Sequence, residues 1–226
     1  MTLAINLEIR PLSTPEYGRA RAALERFHYR AGEPATCETA LGAFEGGRVV
    51  GVLCVSRPTL NGPWRGVAWP EAFGVACGRE ERAPRLNALV RTISRVIVEP
   101  RWRGVGVARS LVEAYLREPR TPLTEALASM GRACPFFERA GMRRMEAPES
   151  RRSKRLRAAL REAGIEPWRL LELRFAERAL ARRDVAEALR AWANDSRATR
   201  GLERNAELLA LAAAGAVARP AVFVSP

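Results

Sequence analysis

Arg103-Gly104-Val105-Gly106-Val107-Ala108 follows directly on the apolar run 93–98 (ISRVIV) and the pair Glu99-Pro100, and it opens a helix-compatible stretch at 107–116. The pattern predicts a buried strand, a glycine turn and a helix in immediate succession. Glycines in such a turn let the backbone come close to a ligand. The first turn of the helix leaves N–H groups unpaired, and with the positive end of the helix dipole they form a natural pyrophosphate site. Many strand–helix turns carry a glycine pair for steric reasons alone. Here the neighbours on both sides match the binding arrangement as well.

Two nucleotide-binding alternatives fail on the residues. A dinucleotide fingerprint needs a third glycine, and Gly104 and Gly106 are followed by Arg109 instead. A P-loop needs Gly-Lys-Ser/Thr, and the only lysine in the chain is Lys154.

The stretch 93–115 (ISRVIVEPRWRGVGVARSLVEAY) resembles the acyl-CoA-binding segment of the GCN5-related N-acetyltransferases. That family's pattern, Gln/Arg-x-x-Gly-x-Gly/Ala, is matched by Arg103, Gly106 and Ala108. A second segment, 134–142 (CPFFERAGM), is similar to the family's Phe-Tyr-x-x-x-Gly-Phe helix. The resemblance spans about residues 5–146, by pattern alone outside the two motifs. More distantly, in fold and a shared Ser-Arg strand pattern, the chain resembles the phage Mu Mom-type DNA-modification proteins.

The resemblance implies a fold, a cofactor and a mechanism. The fold is α/β, a mixed acyl-CoA-binding sheet flanked by helices. The cofactor is acetyl-CoA or another acyl-CoA, and the amine attacks its thioester directly. Backbone groups of Val96, Ile97 and Val98 would pair with the pantetheine arm. Arg103, Gly104, Val105, Gly106, Val107 and Ala108 would hold the pyrophosphate. Phe137 departs from the pattern: many members carry a tyrosine there to protonate the leaving thiolate, and phenylalanine has no proton to give.

The candidates for proton transfer stay open. His28, in Phe27-His28-Tyr29-Arg30 at the predicted end of the first helix, is the one side chain that titrates near neutrality without perturbation. It reads as base or substrate contact, or as a structural residue at a helix C-terminus. Tyr29 is its weaker companion as a proton donor. Glu125 and Arg95 are charges inside apolar strands, and interior charges need partners or a cleft. They read as a mutual salt bridge, as charges exposed to solvent at an edge, or as Glu125 acting as a base through a water held by Ser94. Trp64, Arg65 and Trp69 lie in a long loop and read as a packed lid or an acceptor wall.

Elsewhere local signals predict a strand at 7–12 and a helix from Ser13-Thr14-Pro15-Glu16 through Phe27. They also predict a hairpin of 40–44 and 48–56 around Glu45-Gly46-Gly47, and a strand at 123–130. Residues 1–149 form the expected core and 150–226 a basic helical extension. Within it, 168–175 (WRLLELRF) is compatible with a last core strand or a helix, and 221–224 with a docked terminal strand.

The 226 residues carry a net charge of +13. From residue 151 onward 16 basic residues face 9 acids, against 22 and 16 before it, so the extension has about twice the charge per residue. The excess fits a solvated surface, or an anionic partner such as nucleic acid, whose phosphates suit arginine forks. Cys37, Cys54, Cys77 and Cys134 form no Cys-x-x-Cys pair, and with one histidine no zinc site is expected. Scattered thiols suggest a reducing cytoplasm, and no leader or bilayer-length apolar segment is evident, so no membrane association is expected. The chain is read as an acyl-CoA-dependent N-acyltransferase, with an acceptor amine in or near nucleic acid. The alternatives are a non-catalytic acyl-CoA-fold protein docking on nucleic acid or protein, and an acetyltransferase of a small amine or protein. The oligomeric state is not legible.

Overall fold

The computed structural model describes residues 7–28, 36–74, 78, 80–146, 149–217 and 220–226. Tyr29 and Cys77 lie outside the described residues. The chain divides into two compact units, residues 1–147 with 220–226, and residues 148–219.

The first unit is α/β, a seven-stranded mixed sheet with helices on its faces. Its strands are β1 (Glu8–Pro11), β2 (Cys37–Glu45), β3 (Arg48–Ser56), β4 (Val90–Val98), β5 (Leu123–Ala128), β6 (Arg143–Glu146) and β7 (Ala221–Ser225). Their order is β1-β2-β3-β4-β5-β7-β6. Every neighbouring pair is antiparallel except β4 and β5. The hairpin between β2 and β3 turns on Gly46 and Gly47, both at positive φ, as a two-residue turn of matching twist requires.

Helix α1 (Thr14–Leu24) starts at Ser13 in a capping box with Glu16 and continues as a single 3-10 turn, Glu25–Phe27. It lays Tyr17 and Leu24 on Ala40, Val52, Cys54 and Ile97 of one sheet face. Helix α5 (Val107–Arg117) repeats buried residues at Val107, Leu111, Val112 and Tyr115, one helical stripe, and packs it on Val50, Leu53 and Val55 from the opposite face. A bulge at Val50 shifts the β3 alternation, so this strand is apolar almost throughout. Gly51 permits the close approach of α5: a Cβ there would stand 2.9 Å from Val107 Cγ1.

Between β3 and β4 come three short helices, α2 (Arg65–Ala68), α3 (Pro70–Phe73) and α4 (Arg82–Leu89). Helix α6 (Phe136–Arg139) follows β5 and is closed by Gly141 at φ +95°.

Cys37 and Cys54 form a disulfide between β2 and β3, with Cα atoms 6.2 Å apart. This corrects the expectation of scattered thiols. The hairpin, not a short motif, brings the two together across 17 residues.

The second unit is helical: α7 (Arg151–Glu162), a 3-10 turn (Pro167–Leu171), α8 (Leu173–Leu180), α9 (Arg183–Asn194), α10 (Arg197–Arg200) and α11 (Ala206–Val217). Leu156, Leu160, Leu170, Leu189 and Leu209 centre its own core. Residues 168–175 therefore supply no strand. They form the 3-10 turn and the start of α8, with Leu170 buried in the core of the helical unit. The last segment of the predicted extension does return to the sheet, as β7. No helix among the described residues is long and apolar enough to cross a membrane.

Candidate functional site

Strands β4 and β5 run side by side only from Val90–Ile93 against Leu123–Ala126. Beyond that point β4 continues along β3, while β5 continues along β7. Among the described residues, the β4 edge that faces β5 has no strand partner from Ser94 to Val98, although it lies in the middle of the sheet. Buried backbone groups need partners, so a gap of this kind suits a bound extended chain. Ser94 is the extra residue of a bulge: Ile93 opposes Val55 and Arg95 opposes Cys54.

The open edge leads into the turn before α5. Gly104 and Gly106 both sit at positive φ, +81° and +99°, where a side chain would strain the backbone. A Cβ on either would meet no atom within 4 Å, so the space in front of the turn is open. Val107, Ala108 and Arg109 occupy the first turn of α5, where N–H groups have no helical acceptor. No acidic side chain stands in that turn, and Arg109 is paired with Glu113 at 2.7 Å.

Arg103 also braces the turn from within the protein. Its Nε donates to the Val98 carbonyl at 3.1 Å and another guanidinium nitrogen to the Phe27 carbonyl at 2.8 Å. The side chain ties the turn to the end of β4 and to the 3-10 turn before His28. The residue is exposed, and its third guanidinium nitrogen, Nη1, takes part in neither bond. Ahead of it, the buried Glu99 carboxylate binds Arg48 and Arg101, and chiefly Arg101 holds its pKa below the usual range.

Of the side chains predicted for proton transfer, His28, Ser94 and Glu125 are among the described residues. His28 ends the 3-10 turn, with its backbone N–H on the Glu25 carbonyl at 2.9 Å. Ser94 Oγ lies 2.7 Å from Ser56 Oγ and 3.2 Å from the Cys54 carbonyl, its hydroxyl in a short chain across β3 and β4.

Glu125 is neither in a cleft nor paired with Arg95. It is 1% exposed, and its carboxylate takes two bonds from Arg65, at 2.6 and 2.9 Å, one from Trp64 Nε1 at 2.9 Å and one from Thr92 Oγ1 at 2.9 Å. A carboxylate sealed by four donors has no lone pair turned toward a substrate, which removes the base assigned to it. Arg95 donates instead to its neighbour's carbonyl, Ser94 O, at 2.8 Å. Trp64 and Arg65 are accordingly buried anchors rather than an exposed acceptor wall, and Trp69 packs on Phe73.

Phe137 is buried and stacks on Phe223, with ring centres 4.9 Å apart. Cys134 is a free, exposed thiol.

Two features escaped the sequence. Glu38 of β2 binds Arg57, just past the end of β3, and Arg91 of β4, two strands away, and those bonds, Arg57 first, lower its pKa. Leu127 and Met130, on β5 beyond the divergence and in the turn after it, are exposed although apolar, as is Val105 in the glycine turn. Alternation within short strands and turns gives no warning of either.

No protein-family model and no curated protein matches this chain. Solved structures do show similarity. A GNAT family N-acetyltransferase (YhbS) from Escherichia coli in complex with CoA is 18% identical, with 62% of this chain and 70% of that chain covered at a TM-score of 0.42. Aminoglycoside N-acetyltransferase AAC(6')-Iy in complex with CoA is 16% identical, covering 64% and 91% at 0.41. Diaminobutyrate acetyltransferase EctA from Paenibacillus lautus, in complex with its substrate and coenzyme A, is 12% identical, covering 63% and 81% at 0.41.

Proposed function

We propose that this chain is an acyl-CoA-dependent N-acyltransferase. The observation that supports it best is the unpaired β4 edge from Ser94 to Val98 running into the glycine turn at the start of α5. Amides of a pantetheine arm suit the first, and a pyrophosphate suits the second. Val105, Leu127 and Met130 offer apolar contact to the carbon skeleton between them. Bound acyl-CoA supplies an activated thioester carbonyl.

This chain's residues hold and orient. The strand edge fixes the arm, and the helix start holds negative charge without a competing carboxylate. With Glu125 sealed, His28 is the base we assign, and Tyr29 its companion. No hydroxyl stands at position 137, and a thiol of ordinary pKa near 8.5 is a tolerable leaving group without one. For the acceptor we propose an amine in or near nucleic acid, supported by the charge of +13.

The test has two stages. Calorimetry with acetyl-CoA should give binding to the parent and a large loss in Gly106→Val, whose φ of +99° excludes a branched residue. Equal affinities in two folded proteins would remove the cofactor. Release of free thiol from acetyl-CoA over an amine panel then reads transfer, and His28→Ala should lower it by about 10²–10⁴ with CoA affinity kept. The buried Phe137 and sealed Glu125 favour one rival, a CoA-binding protein without catalysis. It predicts binding with no thiol release on any amine.

A further inference from the structure

We infer that α7 and α10 of the helical unit form a docking surface for the phosphate backbone of duplex nucleic acid. The inference deepens the acceptor half of the reading above and is independent of acyl transfer.

Helix α7 buries Leu156 and Leu160. Arg151, Lys154, Arg155 and Arg161 project from the opposite side, within one stripe by helical spacing, and all four are exposed. The stripe runs about 15 Å along the axis. Among the described residues no carboxylate pairs with Arg151, Lys154 or Arg161, and Arg155 reaches Asp195 only at 3.8 Å on an open surface. Such a pair is worth little, so it leaves the charge available.

The fold extends this stripe in a way the sequence does not. Arg152 stacks on Trp192, 4.3 Å from the ring centre, and donates to Thr199 Oγ1 at 3.2 Å, which fixes α10 beside the start of α7. Arg200 and the exposed Arg204 then join the same region, with Arg204 bonded to the Asn194 side-chain oxygen at 2.8 Å and to carbonyls. These acceptors are neutral, so both arginines keep their charge. Among the described side chains, seven cations are assembled against three acids, Glu162, Asp195 and Glu203.

A surplus of this kind, built mainly of guanidinium forks, is complementary to closely spaced phosphates. Surfaces for single strands add exposed rings on which bases stack. Here the one ring in the patch, Trp192, lies beneath Arg152 and is 7% exposed. The geometry therefore favours a duplex read through its backbone over a single strand.

The test is fluorescence anisotropy of the full chain, without CoA, on a labelled duplex DNA, the matching single strand and polyglutamate, over a salt series. Five phosphate contacts would give a log–log slope of about −4.5, a loss of affinity of about 500-fold between 50 and 200 mM salt. Replacing Arg151, Lys154, Arg155 and Arg161 by glutamine should flatten the slope to about −1. A control with Arg174→Gln and Arg183→Gln, elsewhere on the same unit, should keep it. If the fourfold variant does not fold, single Arg151→Gln and Arg161→Gln variants should each reduce the slope by about 0.9. The inference is overturned if the parent ignores the duplex at low salt, binds polyglutamate or the single strand as well, or keeps its slope in the variants. Thiol release from acetyl-CoA is scored separately, so loss of either reading leaves the other standing.

Discussion

Replacing Arg65 by methionine tests whether the Arg65–Glu125 pair is an anchor of the sheet unit or a functional group. The side chains are 2% and 1% exposed, and the guanidinium gives the carboxylate two bonds, at 2.9 and 2.6 Å. It also donates to the Thr59 carbonyl at 2.7 Å. Methionine fills much of the same volume and removes all of these donors. Two bonds to a charged acceptor contribute about 3–6 kcal/mol together. Stranding a buried charge costs about 3–5 kcal/mol by a separate route, so the two estimates agree. For a chain of this size that is a fall in Tm of about 6–20 °C. Because the helical unit has its own core, thermal unfolding should be paired with amide exchange on peptides from β4 and β5. The double variant Arg65→Met/Glu125→Leu should be less unstable than the sum of the two single changes, by about 1–3 kcal/mol. Additivity within about 0.5 kcal/mol, or an unchanged Tm in Arg65→Met, would refute the anchoring role.

Two further outcomes follow from the same sheet unit. The Ser13 backbone N–H, then its hydroxyl, then Arg10 hold the Glu16 pKa at about 2; a carboxyl lowered on folding stabilises above its ordinary value and loses that contribution as pH falls toward its folded value. Between pH 4.5 and 2 the parent should therefore lose stability faster than Glu16→Gln, in Tm measured by circular dichroism, and parallel curves would reject the capping-box account. For the Cys37–Cys54 bridge, alkylation of unfolded, unreduced protein should label two of the four cysteines, and Cys54→Ser should lower stability by about 3 kcal/mol for a loop of 17 residues; four labels would show that the bridge does not form.

What the sequence revealed and what it hid divide by distance along the chain. The glycine turn, α5, the β2–β3 hairpin and the capped start of α1 are written in contiguous residues, since turn chemistry and helical period act locally. The partner of Glu125 is sixty residues away, and the nearby charge in the adjacent strand, Arg95, was the wrong one. Arg65 looked like a loop residue because nothing local distinguishes a buried guanidinium from an exposed one. The stretch 168–175 has leucines spaced for either structure, and only packing against the other helices of its unit decides it. The divergence of β4 from β5 comes from pairing rather than from either strand alone, so the feature that supports the functional reading best was implied by resemblance and by no residue pattern.

The placement of β7 sets the order in which this molecule can be completed during synthesis. Among the described residues β6 pairs only with β7, and β5 depends on it along Thr124–Ala128. Until residues 221–225 have left the ribosome, both strands stand as bare edges, the kind of surface that seeds misassembly. The helical unit, made later than β6, holds its whole core within 148–219 and can close first. The sheet, begun first, closes last. Loss of five residues after Pro220 would therefore detach β6 from the sheet and bare the far edge of β5, while a nick in an exposed loop of the helical unit would spare every strand pair.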